Sequence, residues 1–394
     1  MDSLLERIEE NKLDALYLFM TETLRDRTEF DRFISNLFSV LPHNWSIQRV
    51  EVGHEFLSMC TQQDELFSLI SGLESLKGLI ISDGYIPRKD NGALCTDSFL
   101  TNLPRARNLQ YLDIQRLRLA DESQVELLAE GFECVQDSLE EIRITGIFLG
   151  TEQNDETLPS LDAAIQACVE MSHLRSLAVS CNTPVHNSAT ILSKDVLMDL
   201  CQSSSTLQDL ALRAMHLDDD TCTTIAEALI TNSFLTSLDI RQNPNITVRG
   251  YKAILGSLER NYDLWCSVMV DNESFQAKFN ALIELNQANR GDLVRSPTRE
   301  KLTAFLERLQ DSQPDGDPTS LWYFLTIHDS ILHPLVSFLK FKSRKEETQK
   351  EEQHASNNNN NNSSSINTAK RPAITVTDDP KRQKVAQVDD ITPT

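Results

Sequence analysis

The chain has 394 residues, 40% of them hydrophobic and 24% charged, and a formal net charge of −22. That length suits two ordinary domains or one elongated repeat array with appendages. Phe341 to Thr394 hold nine Lys/Arg and eight Asp/Glu, which leaves residues 1–340 with 28 basic and 51 acidic side chains. A body so acidic repels nucleic acid and anionic membrane, and it attracts a basic protein partner.

The opening Met1-Asp-Ser-Leu-Leu-Glu-Arg has neither a basic n-region nor an apolar h-region, so no secretory signal is expected. The longest apolar runs, such as Leu321 to Ile327, are too short to span a bilayer. Eight cysteines without a C-x-x-C pair read as reduced thiols, and the expected location is nuclear or cytoplasmic.

In residues 1–46 the positions Leu4, Leu5, Ile8, Leu13, Leu16 and Phe19 fit one amphipathic helix. Phe30, Phe33, Ile34, Leu37 and Phe38 fit a second, which ends before Pro42. Two helices there would form an N-terminal cap on a repeat array.

The array itself is announced by Leu235-Thr-Ser-Leu238-Asp-Ile240-Arg-Gln-Asn243, the L-x-x-L-x-L-x-x-N pattern of a strand followed by a turn. The pattern recurs from Ile47, Leu76, Leu109, Leu139, Leu174, Leu207, Leu235 and Trp265, at spacings of 28–35 residues. About eight repeats are expected over residues 47–290. Between the strands the sequence is helical: Val125, Leu128 and Phe132 share one face, as do Ile225, Ala228 and Leu229.

A strand and a full helix in each unit resembles the ribonuclease-inhibitor-like class of leucine-rich repeat proteins. The resemblance implies an α/β solenoid, a horseshoe with parallel strands inside and helices outside. The turn Asn is present only at Asn182 and Asn243; Glu55, Gly84, Leu117, Ile147, Met215 and Glu273 take its place elsewhere. Pro87–Ala93 and Gly150–Pro159 read as surface loops.

After the last strand, Phe275, Phe279, Leu282 and Ile283 mark an outer helix. Ser296-Pro297 then reads as the cap and first residue of a helix with Leu302, Phe305, Leu306 and Leu309, and Leu321 begins a further helix ending near Phe341. Residues 291–341 are thus expected to be a C-terminal helical cap. Ala281–Gly291, Thr298-Arg-Glu and Trp322-Tyr-Phe-Leu are similar to the closing segment of uncharacterised microalgal leucine-rich repeat proteins. From residue 342 onward low apolar content, a run of six Asn and basic clusters predict a disordered tail. There Lys370-Arg371 and Lys381-Arg382-Gln383-Lys384 flank a nine-residue spacer, which resembles a bipartite nuclear localisation signal read by an import receptor.

The strand register lists the side chains that face away from the helices: Arg49, Glu51, Tyr111, Asp113, Glu141, Arg143, Asp209, Arg213, Asp239, Arg241 and Asp271. Of these, Arg49, Tyr111, Asp113, Arg143, Arg213, Asp239 and Arg241 are the expected partner-binding residues, because a row of strands presents side chains on a rigid support. Cys134, Cys168 and Cys201 repeat at the helix ends and read as core, whereas Cys181 and Cys266 fall in strands with partial exposure expected. His328 and His333 are five apart, the wrong spacing for a metal on one helix face, and His54, His173, His186 and His216 show no ligand pattern. With no phosphate loop, no G-x-S-x-G and no H-E-x-x-H, neither catalysis nor a cofactor or metal is expected.

The expected function is non-catalytic protein–protein interaction through the concave strand face. Long repeats and acidity also resemble Ran GTPase-activating proteins, which implies as an alternative a regulator of a small GTPase. The chain lacks the long acidic C-terminal run of that family and has fewer repeats.

Overall fold

Residues 2–82, 96–150, 158–182, 191–202, 206–262, 264, 266–296 and 298–312 are described in a computed structural model of the chain. The chain divides into two units, Met1–His333 and Pro334–Thr394, and all described residues lie in the first. The expected tail, the helix from Leu321, and the loop Pro87–Ala93 fall outside the described residues.

The first elements are α1 (Asp2–Glu9), β1 (Ala15–Leu18) and α2 (Arg27–Val40). Strand β2 (Arg49–Gly53) leads into α3 (His54–Met59) and α4 (Gln63–Ser71), and β3 (Gly78–Ser82) precedes α5 (Thr96–Asn102). β4 (Tyr111–Gln115) and the short β5 (Arg118–Leu119) precede α6 (Glu122–Val135). The alternation continues with β6 (Glu141–Leu149), α7 (Asp162–Val169), β7 (Ser176–Cys181) and α8 (Lys194–Gln202). Next come β8 (Asp209–Arg213), α9 (Asp219–Leu229), β9 (Ser237–Asp239) and α10 (Val248–Arg260). The described chain closes with β10 (Ser267–Met269), α11 (Glu273–Gln287), α12 (Arg290–Arg295) and α13 (Arg299–Ser312).

The fold is α/β, with an open sheet whose described strands pair only in parallel. Its order is β1-β2-β3-β4-β6-β7-β8-β9-β10, with β5 pairing β6 off that path. Apart from β5, each strand thus lies beside the next in the chain, because an intervening helix returns the backbone to the sheet edge.

The apolar pattern sets the register. Leu16, Val50, Leu79, Leu112, Ile142, Leu177, Leu210, Leu238 and Val268 stand opposite one another from strand to strand. All are buried, as are Val125, Leu128 and Phe132 of α6 and Ile225, Ala228 and Leu229 of α9. Burying a Leu, Ile or Val side chain contributes about 1.5–3 kcal/mol, so no single unit could hold its strand and helix together, whereas a stack of them can.

A second buried row lies just upstream: Leu13, Ile47, Leu76, Leu109, Leu139, Leu174, Leu207, Leu235 and Leu264. This row changes one expectation. The helix drawn from Leu4 to Phe19 stops at Glu9, where Asn11 turns left-handed (φ 54°) and Lys12 N donates to Arg7 O at 2.9 Å. Residues 13–18 then form a strand unit, so residues 1–46 contain the first strand of the sheet as well as helices. At the other end Leu264 is buried, four residues before Val268; Trp265, the expected leading residue of the last unit, is outside the described residues.

Side chains satisfy the carbonyls exposed between units. Ser46, Ser75 and Ser138 donate from Oγ to Leu13 O, Ile47 O and Leu109 O of the preceding unit, at 2.5, 2.6 and 2.8 Å. Three residues before the leading apolar position an Asn does the corresponding work for the helix end. Asn232 donates to Cys201 O at 2.6 Å and accepts from Leu235 N at 2.9 Å. Asn261 donates to Leu229 O and Asn232 O, both at 2.7 Å, and accepts from Leu264 N. Asn44 repeats the arrangement with Ile8 O and Ile47 N. These caps satisfy helix-end carbonyls that would otherwise be buried without a partner.

The strand-end Asn expected from the sequence plays its part at one position. Asn243 is buried and donates to Leu212 O at 2.8 Å and Ile240 O at 2.9 Å. Asn182 is exposed instead, because β6 runs on to Leu149 and pairs Ile147 with Cys181 after a register shift. Towards the C-terminus, Thr298 Oγ1 accepts from Lys301 N at the start of α13, while Ser296 closes α12. The cap expected at Ser296-Pro297 therefore lies two residues further on; Pro297 is outside the described residues. Cys134 is exposed, not packed, whereas Cys168, Cys201, Cys181 and Cys266 are all buried.

Candidate binding face

Alternation at period two places the expected partner-binding residues on the side of the sheet opposite the apolar rows. One line across the strands runs Ala15, Arg49, Gly78, Tyr111, Glu141, Ser176, Asp209, Ser237, Ser267. The next runs Tyr17, Glu51, Ile80, Asp113, Arg143, Ala178, Ala211, Asp239, Met269. Arg213 follows at the end of β8, and Arg241 two residues beyond the end of β9.

Within these lines the charged side chains gather into two groups. In the first, Tyr111 Oη donates to Asp113 Oδ2 at 3.1 Å, and Arg143 pairs with Asp113 at 3.8 Å and Glu141 at 3.2 Å. Arg49 pairs with Glu51 at 3.8 Å, and Ser82 Oγ donates to Glu51 at 3.2 Å. Gly78 lies between β2 and β4, and a Cβ there would meet Arg49 Cγ at 3.5 Å and Tyr111 Cδ1 at 3.9 Å, so these two side chains close over the glycine.

The second group is Arg213, Asp239 and Arg241. Asp239 receives Arg213 through Nε and Nη2, and Arg241 through Nε at 3.0 Å, Nη2 at 2.8 Å and the backbone N at 3.1 Å. Between the groups lie the small side chains of Ser176, Ala178 and Ala211, so the face has two charged regions separated by a low one. Tyr111 and Asp113 are not brought together with Arg213.

Although they stand on the side of the sheet away from the apolar rows, Asp113 and Asp239 are buried. Asp113 lies under Arg143 of β6, and Asp239 under Arg213 of β8 and Arg241 of its own segment, which shields the carboxylates from water. The consequences differ. Burial raises the pKa of Asp113, and the Tyr111 hydrogen bond and the Arg143 charge only partly oppose it; Oδ1 has no hydrogen-bond partner among the described residues. Burial also disfavours ionisation of Asp239, but the hydrogen bonds from Arg241 and Arg213 overrule it and hold the carboxyl below its usual range. Burial and the Asp113 charge push the Tyr111 phenol up to about 12.

The sequence reading missed two members of this face. Tyr17 on β1 stands opposite Glu51 and is exposed, and Leu13-x-x-Leu16-x-Leu18 carries the same spacing that marks the other strands. Ile80 is an apolar side chain buried on the charged side, with Glu51 and Asp113 on either hand.

The acidity of the chain has a structural location as well. Nearly all the helices from α2 onward begin with Asp or Glu in the first turn, as the helix dipole favours. Several of these acids also cap the next helix: Asp162 Oδ1 accepts from Ser193 N at 2.7 Å, and Asp219 Oδ1 accepts from Thr247 N at 2.8 Å and Gly250 N at 2.9 Å. Among the described residues no group of three or more His, Cys, Asp or Glu could hold a metal ion, and no helix is long and apolar enough to cross a membrane. His54 Nε2 is 2.6 Å from Gln115 O, a contact that ties the start of α3 to β4.

Comparison of the chain with models of known protein families and with curated proteins finds no match in either. The geometry of the face therefore carries the functional argument.

Proposed function

We propose that this chain is a leucine-rich repeat solenoid of the ribonuclease-inhibitor-like class that acts as a non-catalytic scaffold, binding a protein partner on its strand face. The observation that carries the reading is the parallel register from β1 to β10, which repeats the same residue position across nine strands on one surface and shifts only late in β6. A surface built this way is rigid, so its side chains lose little freedom on binding. Arginine and tyrosine, the side chains enriched at binding hot spots, are among those it presents.

The test is affinity purification with crosslinking, comparing the native chain with an Arg143→Ala/Arg213→Ala/Arg241→Ala variant shown to be folded. Loss of a specific partner is the expected result; an unchanged set of partners would remove the strand face from the account. A role in the nucleus is part of the same proposal, resting on Lys370, Arg371, Lys381, Arg382 and Lys384. Deleting residues 370–384 is expected to shift a fluorescent fusion out of nuclei, and an unaltered distribution would remove that part.

A further inference from the structure

The strand face carries its charge in two layers. The side chains of Arg49, Arg143, Arg213 and Arg241 are 51, 47, 44 and 39% exposed, while those of Glu51, Asp113 and Asp239 beneath them are 20, 8 and 2% exposed. An arriving molecule meets guanidinium groups first, and the carboxylates that balance them are turned towards the sheet.

The layering is sharpest around Asp239. One buried carboxylate holds two guanidinium groups, from Arg213 at the end of β8 and from Arg241 two residues beyond β9, so the trio by itself carries a charge of +1. Both arginines use Nε and Nη2 on Asp239, and neither uses Nη1 there. The donors left over are fixed in place before a ligand arrives, which spares the rotamer entropy that two free arginines would lose. A planar fork of this kind matches a carboxylate.

Three other carboxylates near these groups face solvent more openly. Glu141 is 37% exposed and pairs with Arg143. Asp271 acts on Arg241 through its charge, and its Oδ2 accepts from Gln242 N at 2.5 Å, which holds it at the turn. Asp209 is at the opposite end of β8 from Arg213, about 13 Å away at the usual rise per strand residue. The acids of the helix starts are further off. Salt screens charges beyond about 8 Å at physiological ionic strength, so the contact layer dominates over the net charge of the chain.

We propose that the strand face binds an acidic segment of a partner protein, whose carboxylates are taken by the Arg213–Arg241 pair seated on Asp239, with Arg143 and Arg49 continuing the row. This rests on the strand-face reading and reverses the sign of partner that net charge alone favours.

The test uses the full chain and two labelled probes, a short poly-glutamate peptide and a short poly-lysine peptide, followed by fluorescence anisotropy. Hydrogen exchange locates each bound probe. The expected result is poly-glutamate binding that protects β8 and β9, weakens with salt, and falls about tenfold or more in Arg213→Ala/Arg241→Ala, equivalent to about 1.4 kcal/mol. Arg213→Lys/Arg241→Lys keeps the charge and loses the fork; it is expected to bind between the two and covers the case in which the alanine variant unfolds. No poly-glutamate binding, or binding that neither variant changes, would overturn the proposal. Poly-lysine protecting β8 and β9 would overturn the acidic partner and leave the strand face standing. Poly-glutamate protecting only the helices would overturn both.

Discussion

Arg213 reaches from β8 to Asp239 on β9, and its Nε and Nη2 both end on one carboxylate oxygen, Oδ2. Asp113, two strands on the other side of β7, is equally turned into the sheet but has only a tyrosine hydrogen bond and a more distant arginine. The two carboxyls therefore titrate in opposite directions from the ordinary value.

Opposite shifts give opposite pH dependences. Asp239 has a folded-state pKa below the unfolded value of about 3.9, so its stabilisation is present above that pH and is lost as pH falls through the folded value. Asp113 has a folded-state pKa above it, so its contribution is full below about pH 3.9 and is lost as pH rises through the folded value. In urea unfolding, Asp239→Asn should be less stable than the native chain near neutral pH, with the gap closing in acid. Asp113→Asn should be at least as stable near neutral pH, with its advantage fading in acid. The same trend in both variants would contradict this assignment.

Asn261 connects three units through Leu229 O, Asn232 O and Leu264 N. Asn261→Ala leaves buried carbonyls and an amide without partners, a cost of roughly 1–3 kcal/mol for each group that water does not reach. Ser138→Ala removes one donor to Leu109 O and should cost about 0.5–1.5 kcal/mol. Urea midpoints that rank the two variants the other way would show that the Asn caps contribute less than the serine bonds.

Gly250 sets a helix preference against a close approach. Alanine is better than glycine inside a helix by about 1 kcal/mol. A Cβ at Gly250, however, would lie 2.7 Å from Asp219 Oδ1 and 3.1 Å from Cys222 Cβ. The approach should win, making Gly250→Ala less stable by about 1–3 kcal/mol. With Asp219→Ala already in place the added penalty should shrink. A fully additive double-mutant cycle would show that Asp219 is not the obstacle.

Leu264→Ala should cost about 2–5 kcal/mol, comparable with Leu235→Ala, because both side chains are buried three residues after a capping Asn. A thermal shift near zero for Leu264→Ala would contradict that equivalence.

β2 to β4 and β6 to β9 were legible because each presents apolar residues two apart after a leading Leu or Ile, β10 because Val268 and Val270 keep that spacing, and burial on one face permits little else; the two-residue β5 is too short to leave such a pattern. β1 carries the same marks at Leu13, Leu16 and Leu18. The apolar residues of α1 precede it at spacings that also suit a helix, and only the left-handed turn at Asn11 separates the two. The Asn caps at Asn232 and Asn261 went unread since they recur in some units only, with serine hydroxyls serving others. The burial of Asp113 and Asp239 was not legible at all. It depends in part on arginines 26–30 residues away in sequence, whose side chains lie over a neighbouring strand, and for Asp239 also on Arg241 two residues on. The choice of seven candidate residues on one face came from register alone, while their division into two groups came from contacts between strands.

The most direct measurement places a photo-crosslinking amino acid at Ala178, on the strand face between the two charged groups, and in a second chain at Glu227, exposed on α9. The account predicts that the probe at Ala178 captures a defined partner, that capture is lost in the Arg143→Ala/Arg213→Ala/Arg241→Ala background, and that the probe at Glu227 does not capture it. Capture of the same partner from Glu227 alone would place the binding surface on the helices and contradict the strand-face account.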